Sequence, residues 1–214
     1  MVEIADGHVE WAIVNRLKAM LDEAPSTPFN VTQSFAFFSS ILLWSKNRAW
    51  VAGNRRERGD WENPADHLAH DARESMQTTL ITDDPWRLSL AAPAIMLVDR
   101  NDRSAYEDRI NSDFETMTAE AFFRWLRDAF AHGDGRTIRP IHKPSPRHGK
   151  TLLVGFKIVF PRKKDSEDSF RLHLYHEDMR RLGVHLADLF CRSLSRNDRY
   201  FEEDAATRVG EQAA

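Results

Sequence analysis

Arg127 and His132 stand five positions apart in "FFRWLRDAFAHGDGR", with an aspartate directly after the arginine and a glycine directly after the histidine. These residue types suit phosphate chemistry. Histidine titrates near pH ~6.5, so it can take or give a proton at neutral pH. Arginine never loses its charge, and its planar fork grips phosphate oxygens in two places. Cleaving RNA through its own 2′-hydroxyl asks for a base for that proton, a cation against the crowded phosphorane, and an acid for the departing 5′-oxygen. One histidine cannot do both proton jobs in a single step. A two-fold dimer bringing two copies of the stretch together would supply two histidines and two arginines, and C2 dimers are the commonest oligomers.

Spacing alone decides nothing. With 23 arginines and nine histidines in 214 residues, an arginine five places before a histidine is expected about once by chance. The pattern occurs three times, at Arg127/His132, Arg171/His176 and Arg180/His185. Arg171 and His176 fall on a predicted strand, where an odd separation sends side chains to opposite faces. Arg180 and His185 fall inside a predicted helix, where five residues amount to ~140° of rotation. Arg127/His132 differs in lying at a predicted helix end. Gly133 is expected there in the left-handed conformation that commonly closes a helix, freeing the backbone so that both side chains can face one cleft.

The elements that must position this pair are mostly helical. "EWAIVNRLKAML" puts Ile13, Leu17, Met20 and Leu21 at helical spacing, with Pro25 as its stop. "VTQSFAFFSSILLWSKNRAWVAG" has Phe35, Phe38, Leu42 and Ala49 on one face and is expected to end at Gly53, as the central helix. "GNRRERGDWENP" reads as a loop before a weaker helix, "ADHLAHDARESMQTTLI". Residues 82–98 show no clean period. Tyr106, Ile110, Phe114 and Met117 suggest a further helix. Thr118 is the expected N-cap of the motif helix, with Phe122, Leu126, Ala129 and Phe130 facing inward. Beyond it the period changes to two, and "TLLVGFKIVF" and "SFRLHLYH" read as an antiparallel hairpin. A last helix from about Glu177 carries Met179, Leu182, Leu186, Leu189 and Phe190. The expectation is a single, mainly α domain over 1–200, a helical bundle with one β-hairpin inserted between the motif helix and the C-terminal helix. Residues 136–175 form its basic loop and hairpin, and 201–214 a disordered tail.

The stretch "LRDAFAHG" resembles the signature of the HEPN superfamily: an arginine, a polar residue, three further residues and a histidine, here Arg127, Asp128, Ala129-Phe130-Ala131 and His132. Gly133 supplies the small residue that often follows, and Asp128 stands where asparagine or histidine is frequent. The detailed likeness covers about ten residues, and the helical bundle agrees with it more loosely. The resemblance implies a metal-independent endoribonuclease, a homodimer with a composite active site that leaves a 2′,3′-cyclic phosphate and a 5′-hydroxyl. It implies Arg127 as phosphate clamp, His132 as general acid/base and Asp128 as an orienting group, in a toxin or defence effector held in check by an antitoxin or regulatory partner. No cofactor is called for.

Charge supports contact with a polyanion. The formal net charge is −3, yet from Arg136 to Lys164 there are nine lysines and arginines and no acid. Arg136, Arg139, Lys143, Arg147 and Lys150 are the candidate RNA-binding residues, the first two lying closest to the motif. The N-terminus lacks the pattern of a signal peptide and no run of ~18 apolar residues is present, so a cytoplasmic protein without membrane contact is expected. Cys191, the single cysteine, reads as a buried thiol.

Other readings remain open. Arg127 could simply pair with Asp128 or Asp134 on the surface, with His132 capping the helix. A HEPN-like module could bind RNA or nucleotide, or neutralise a partner, without catalysis. His67, His70 and Asp71 in "HLAHD" would suit a metal-dependent phosphohydrolase, although no further ligand set can be singled out, and His173 and His176 repeat the histidine spacing. Trp125, which the core stripe does not need, is a candidate for a dimer interface.

Overall fold

The computed structural model describes residues 9–23, 28–58, 64–90, 111–145, 149–161 and 169–192. Within them lie five α-helices and three strands: α1 (Val9–Asp22), α2 (Asn30–Arg58), α3 (Pro64–Thr78), α4 (Ala119–His132), β1 (Ile138–Ser145), β2 (Lys150–Pro161), β3 (Ser169–Tyr175) and α5 (His176–Cys191). A 3-10 turn, Ser112–Phe114, precedes α4. The expected helix at Tyr106 and Ile110, the RNA-binding candidate Arg147, the cations Arg162–Lys164 and the tail 201–214 lie outside the described residues.

Helix α2 is central, packing against α1, α3, α4 and α5. Phe38, Ile41, Leu42 and Ser45 are buried at i, i+3, i+4 and i+7, one continuous face of a 3.6-residue helix. It does not stop at Gly53. A single glycine inside a helix costs only about 0.5–1 kcal/mol relative to alanine, and the flanking arginines are good helix formers, so α2 runs on to Arg58 through the first half of the expected loop. In α1 the buried face is Trp11, Val14 and Leu21 with Leu17 packed beside it, so Leu17 and Leu21 of the expected stripe face the core while Ile13 is only partly buried and Met20 is exposed. Trp11 stacks on Phe190 of α5 at 4.0 Å, and that contact turns Met20 outward to 48% exposure.

Helix α5 buries Met179, Leu182, Leu186 and Phe190 of the expected stripe together with Ala187, while Leu189 is only partly buried. The Asp178 carboxylate accepts from the Tyr175 backbone N–H at 3.3 Å and so closes its N-terminus. Gly183 lets it approach closely, for a Cβ there would stand 2.5 Å from Leu21 and 3.1 Å from Phe38.

The expected hairpin is a three-stranded antiparallel sheet in the order β1-β2-β3. The added strand, "IRPIHKPS", was expected as part of a basic loop because Pro140 and Pro144 break both its apolar alternation and its donor pattern. An edge strand tolerates this, since prolines need not donate on the open side. Its register with β2 shifts between Ile141 and His142, a bulge that brings Val154 beside Ile141 and Tyr175 in a small apolar cluster. Ile158, Leu172 and Leu174 carry the sheet into the main core. On β3, the side chain of Asn111 takes the place of a fourth strand, accepting from the His173 N–H at 2.8 Å and donating to its carbonyl at 3.1 Å. Asn111 does so from a left-handed backbone, φ 66°, which asparagine accepts more readily than most residues.

Candidate active site

Helix α4 presents the motif. Thr118 caps it, its hydroxyl accepting from the Ala121 N–H at 3.3 Å. Phe122, Phe123, Leu126 and Ala129 are fully buried, so the helix cannot rotate without emptying the core. The opposite edge of the helix must then carry Arg124, Arg127 and Ala131 toward solvent.

The helix remains regular through His132, and Gly133 follows in an extended conformation, φ −72° and ψ 152°, not a left-handed one. Glycine is required there for another reason. A Cβ would lie 2.3 Å from the Ala129 carbonyl oxygen and 2.8 Å from Cδ1 of Ile138. The chain therefore turns tightly against α4 into β1. Asp134 fixes the turn by accepting from the N–H groups of Arg136 at 2.7 Å and Thr137 at 3.1 Å. Those two N–H bonds hold its carboxyl below the usual carboxylate range. Thr137 then accepts the β2 ladder through its carbonyl, from Val159 N–H at 2.8 Å.

Because both residues belong to one unbroken helix, Arg127 and His132 are separated by ~140° around the axis and ~7.5 Å along it. Within one copy of the chain they do not meet. Arg127 is half-buried and pairs with its neighbour, Nη1 to Asp128 Oδ1 at 3.2 Å. Its Nε is shielded from solvent and has no hydrogen-bond partner among the described residues. His132 is exposed and has no side-chain partner among the described residues. Asp134, the alternative partner for Arg127, is occupied by the turn.

The basic candidates divide into two groups. Arg136, in the turn after Gly133, and Arg139, at the start of β1, are exposed, and Arg139 donates through Nε to the Arg136 carbonyl at 3.0 Å. Lys143 and Lys150 belong to the far end of the sheet; five residues of strand from Ile138 to Lys143 span ~16 Å. Trp125 is not free for an interface: its ring packs against Phe114 at 5.2 Å and Phe170 at 5.6 Å.

The α3 cluster is His70, Asp71 and Glu74, whose potential ligand atoms all lie within 4.8 Å of one another. Asp71 and Glu74 are exposed on the same helix surface, and among the described residues no second element contributes a ligand. The side chain of His67 lies outside the described residues. His173 is buried on β3, while His176 opens α5 and pairs with Glu177 at 3.4 Å, so these two histidines serve different elements.

One ionic group escaped the sequence reading. Lys46 and Glu120 form a buried pair between α2 and α4, Nζ to Oε1 at 3.1 Å, with Arg73 Nε 3.8 Å from the same carboxylate. Burial drives the Lys46 pKa down, and Glu120 only partly offsets this. Burial would raise Glu120, but Lys46, Arg124 and Arg73 together hold it below its usual value. The available signal was Lys46 standing four residues after Leu42, on the apolar stripe of α2.

No family model matches the chain, and no curated protein or solved structure does. Among the described residues no helix is long and apolar enough to cross a membrane.

Proposed function

We propose that the chain is a metal-independent endoribonuclease of HEPN type whose active site is completed by a second copy. The observation that carries this reading is the exposed, unengaged His132 at the end of α4, one and a half turns beyond an arginine whose neighbouring carboxylate holds it half-buried. Arg136 in the turn after α4 and Arg139 at the start of β1 add two exposed cations, where an RNA backbone leaving the motif would pass.

Since the pair diverges within one chain, the catalytic groups must be drawn from two. A two-fold axis against the α4 terminus would place each Arg127 near the partner's reacting phosphate and set the two copies of His132 on opposite sides of the scissile bond. One copy takes the 2′-hydroxyl proton as the oxygen attacks phosphorus. The other gives a proton to the leaving 5′-oxygen. Two Arg127 guanidiniums stabilise the charge on the phosphorane, and Asp128 sets their orientation. The products are a 2′,3′-cyclic phosphate and a 5′-hydroxyl, with no metal in any step. A toxin or defence effector restrained by a partner is the biological setting this chemistry suits.

The Arg127–Asp128 pair also favours a second reading, a HEPN-like module that binds RNA without cutting it because its arginine is already neutralised. Incubating purified protein with total RNA in EDTA separates the two. Catalysis predicts cleavage that is lost in His132→Ala while RNA affinity stays within about twofold. Binding alone predicts no cleavage by any form of the protein.

A further inference from the structure

A cavity of about 650 Å³ lies away from the motif, between the first turn of α2, the bulged middle of β2 and the junction of β3 with α5. That volume is in the range of ~300–1,000 Å³ typical of small-molecule sites. Its walls are largely apolar, with Phe29, Val31, Leu152, Leu153 and Tyr175 among the lining residues. Phe29 and Leu152 are 71% and 41% exposed, two of the four large apolar side chains exposed among the described residues. Both border this one cavity.

Its charged lining groups are one lysine and two acids. Lys143 lines the wall, half-buried and without an ion-pair partner among the described residues. Two acids also line it, and both are engaged. Asp178 is buried, accepting from Arg181 Nη2 at 2.7 Å and from the Tyr175 N–H, while Glu177 lies 3.4 Å from His176 Nδ1. The first turn of α2 adds the positive end of a helix with no acidic residue to complement it. A half-buried lysine against apolar walls favours a ligand that returns one negative charge and covers the exposed Phe29 and Leu152 side chains.

We propose that this cavity binds a small organic monoanion with an apolar, ring-sized body, its acidic group on Lys143 and its body against Phe29 and Leu152. The site is independent of the nuclease reading. It shares β1 with it, since that strand begins against Gly133 and reaches Lys143 in the cavity wall.

Isothermal titration calorimetry with naphthoate, on the full chain, tests this. Expected is binding of one naphthoate per chain, weakened at least about tenfold by Lys143→Met and by Leu152→Trp, and at least about tenfold weaker for neutral naphthamide, each tenfold being about 1.4 kcal/mol. Both variants are to be compared at unchanged thermal midpoint, with Thr32→Trp replacing Leu152→Trp if the latter lowers it. Absence of binding at millimolar naphthoate, wild-type affinity in either variant, or equal affinity for naphthamide would overturn the proposal.

Discussion

His132 owes its availability to its position: the last residue of α4, past the buried stripe and before a turn whose polar groups bond one another. Arg127 is the less free of the two, held by Asp128 at 3.2 Å. In the nuclease reading His132→Ala lowers the cleavage rate by about 10²–10⁴, and Arg127→Ala by about 10²–10³, measured as initial rates on a fluorogenic RNA. Away from the motif, Lys46 and Glu120 behave as a unit. Glu120→Leu leaves a buried lysine uncompensated and is expected to cost about 3–5 kcal/mol in urea unfolding, much of it recovered by adding Lys46→Met. The pair also sets an acid dependence. The folded pKa of Glu120 lies below its ordinary 4.5, so its contribution is present above that value and is lost as pH falls through the folded pKa. The double variant should therefore lose less stability than wild type as pH is lowered through this window. Cys191 is pushed up to about 12 by burial. Against the ordinary 9.0, that leaves about a thousandfold less thiolate at pH 8, so iodoacetamide should label native protein far more slowly than protein in guanidinium. The sequence exposed the residue types of the motif, and a thiol on the core side of α5 that is in fact only partly buried, because these follow from local pattern. It did not expose Lys46–Glu120, since partners 74 positions apart leave no spacing to read.

At the scale of elements, α4 and β1 form one device. The buried Phe122, Phe123 and Leu126 fix the rotation of α4, and the contact of Gly133 with Ile138 fixes where the chain leaves it. Gly133→Ala forces a Cβ into the Ala129 carbonyl and is expected to destabilise the fold by about 1–3 kcal/mol, seen as a lowered urea midpoint. Arg136 and Arg139 are expected to act on RNA affinity alone. Replacing either with alanine should reduce the slope of log affinity against log salt by ~0.7 for single-stranded RNA, leaving the thermal midpoint in place. Helices α1, α3, α4 and α5 were legible because their apolar residues recur every three to four positions. The limits of α2 and the existence of β1 were not. Gly53 is a weak helix stop when arginines follow it, and Pro140 and Pro144 hide a strand whose pairing comes wholly from β2.

The described residues form a helical layer with a small antiparallel sheet continuing its core, and the two proposed sites lie apart along that sheet. The motif stands at one end of β1 and the 650 Å³ cavity toward the other. In the nuclease reading Arg127 and His132, which diverge by ~140° within one chain, are supplied by two copies, so the mass in solution should be twice that of the single chain. The cavity was not visible in the sequence, because its walls are assembled from distant segments. The most direct test of the central claim is to map the ends of RNA cut by the wild-type protein in EDTA, beside His132→Ala and Arg127→Ala. New 2′,3′-cyclic phosphate and 5′-hydroxyl ends that vanish in both variants are the predicted result. Ends bearing 5′-phosphates, cutting that survives His132→Ala, or intact RNA with the wild type would contradict it.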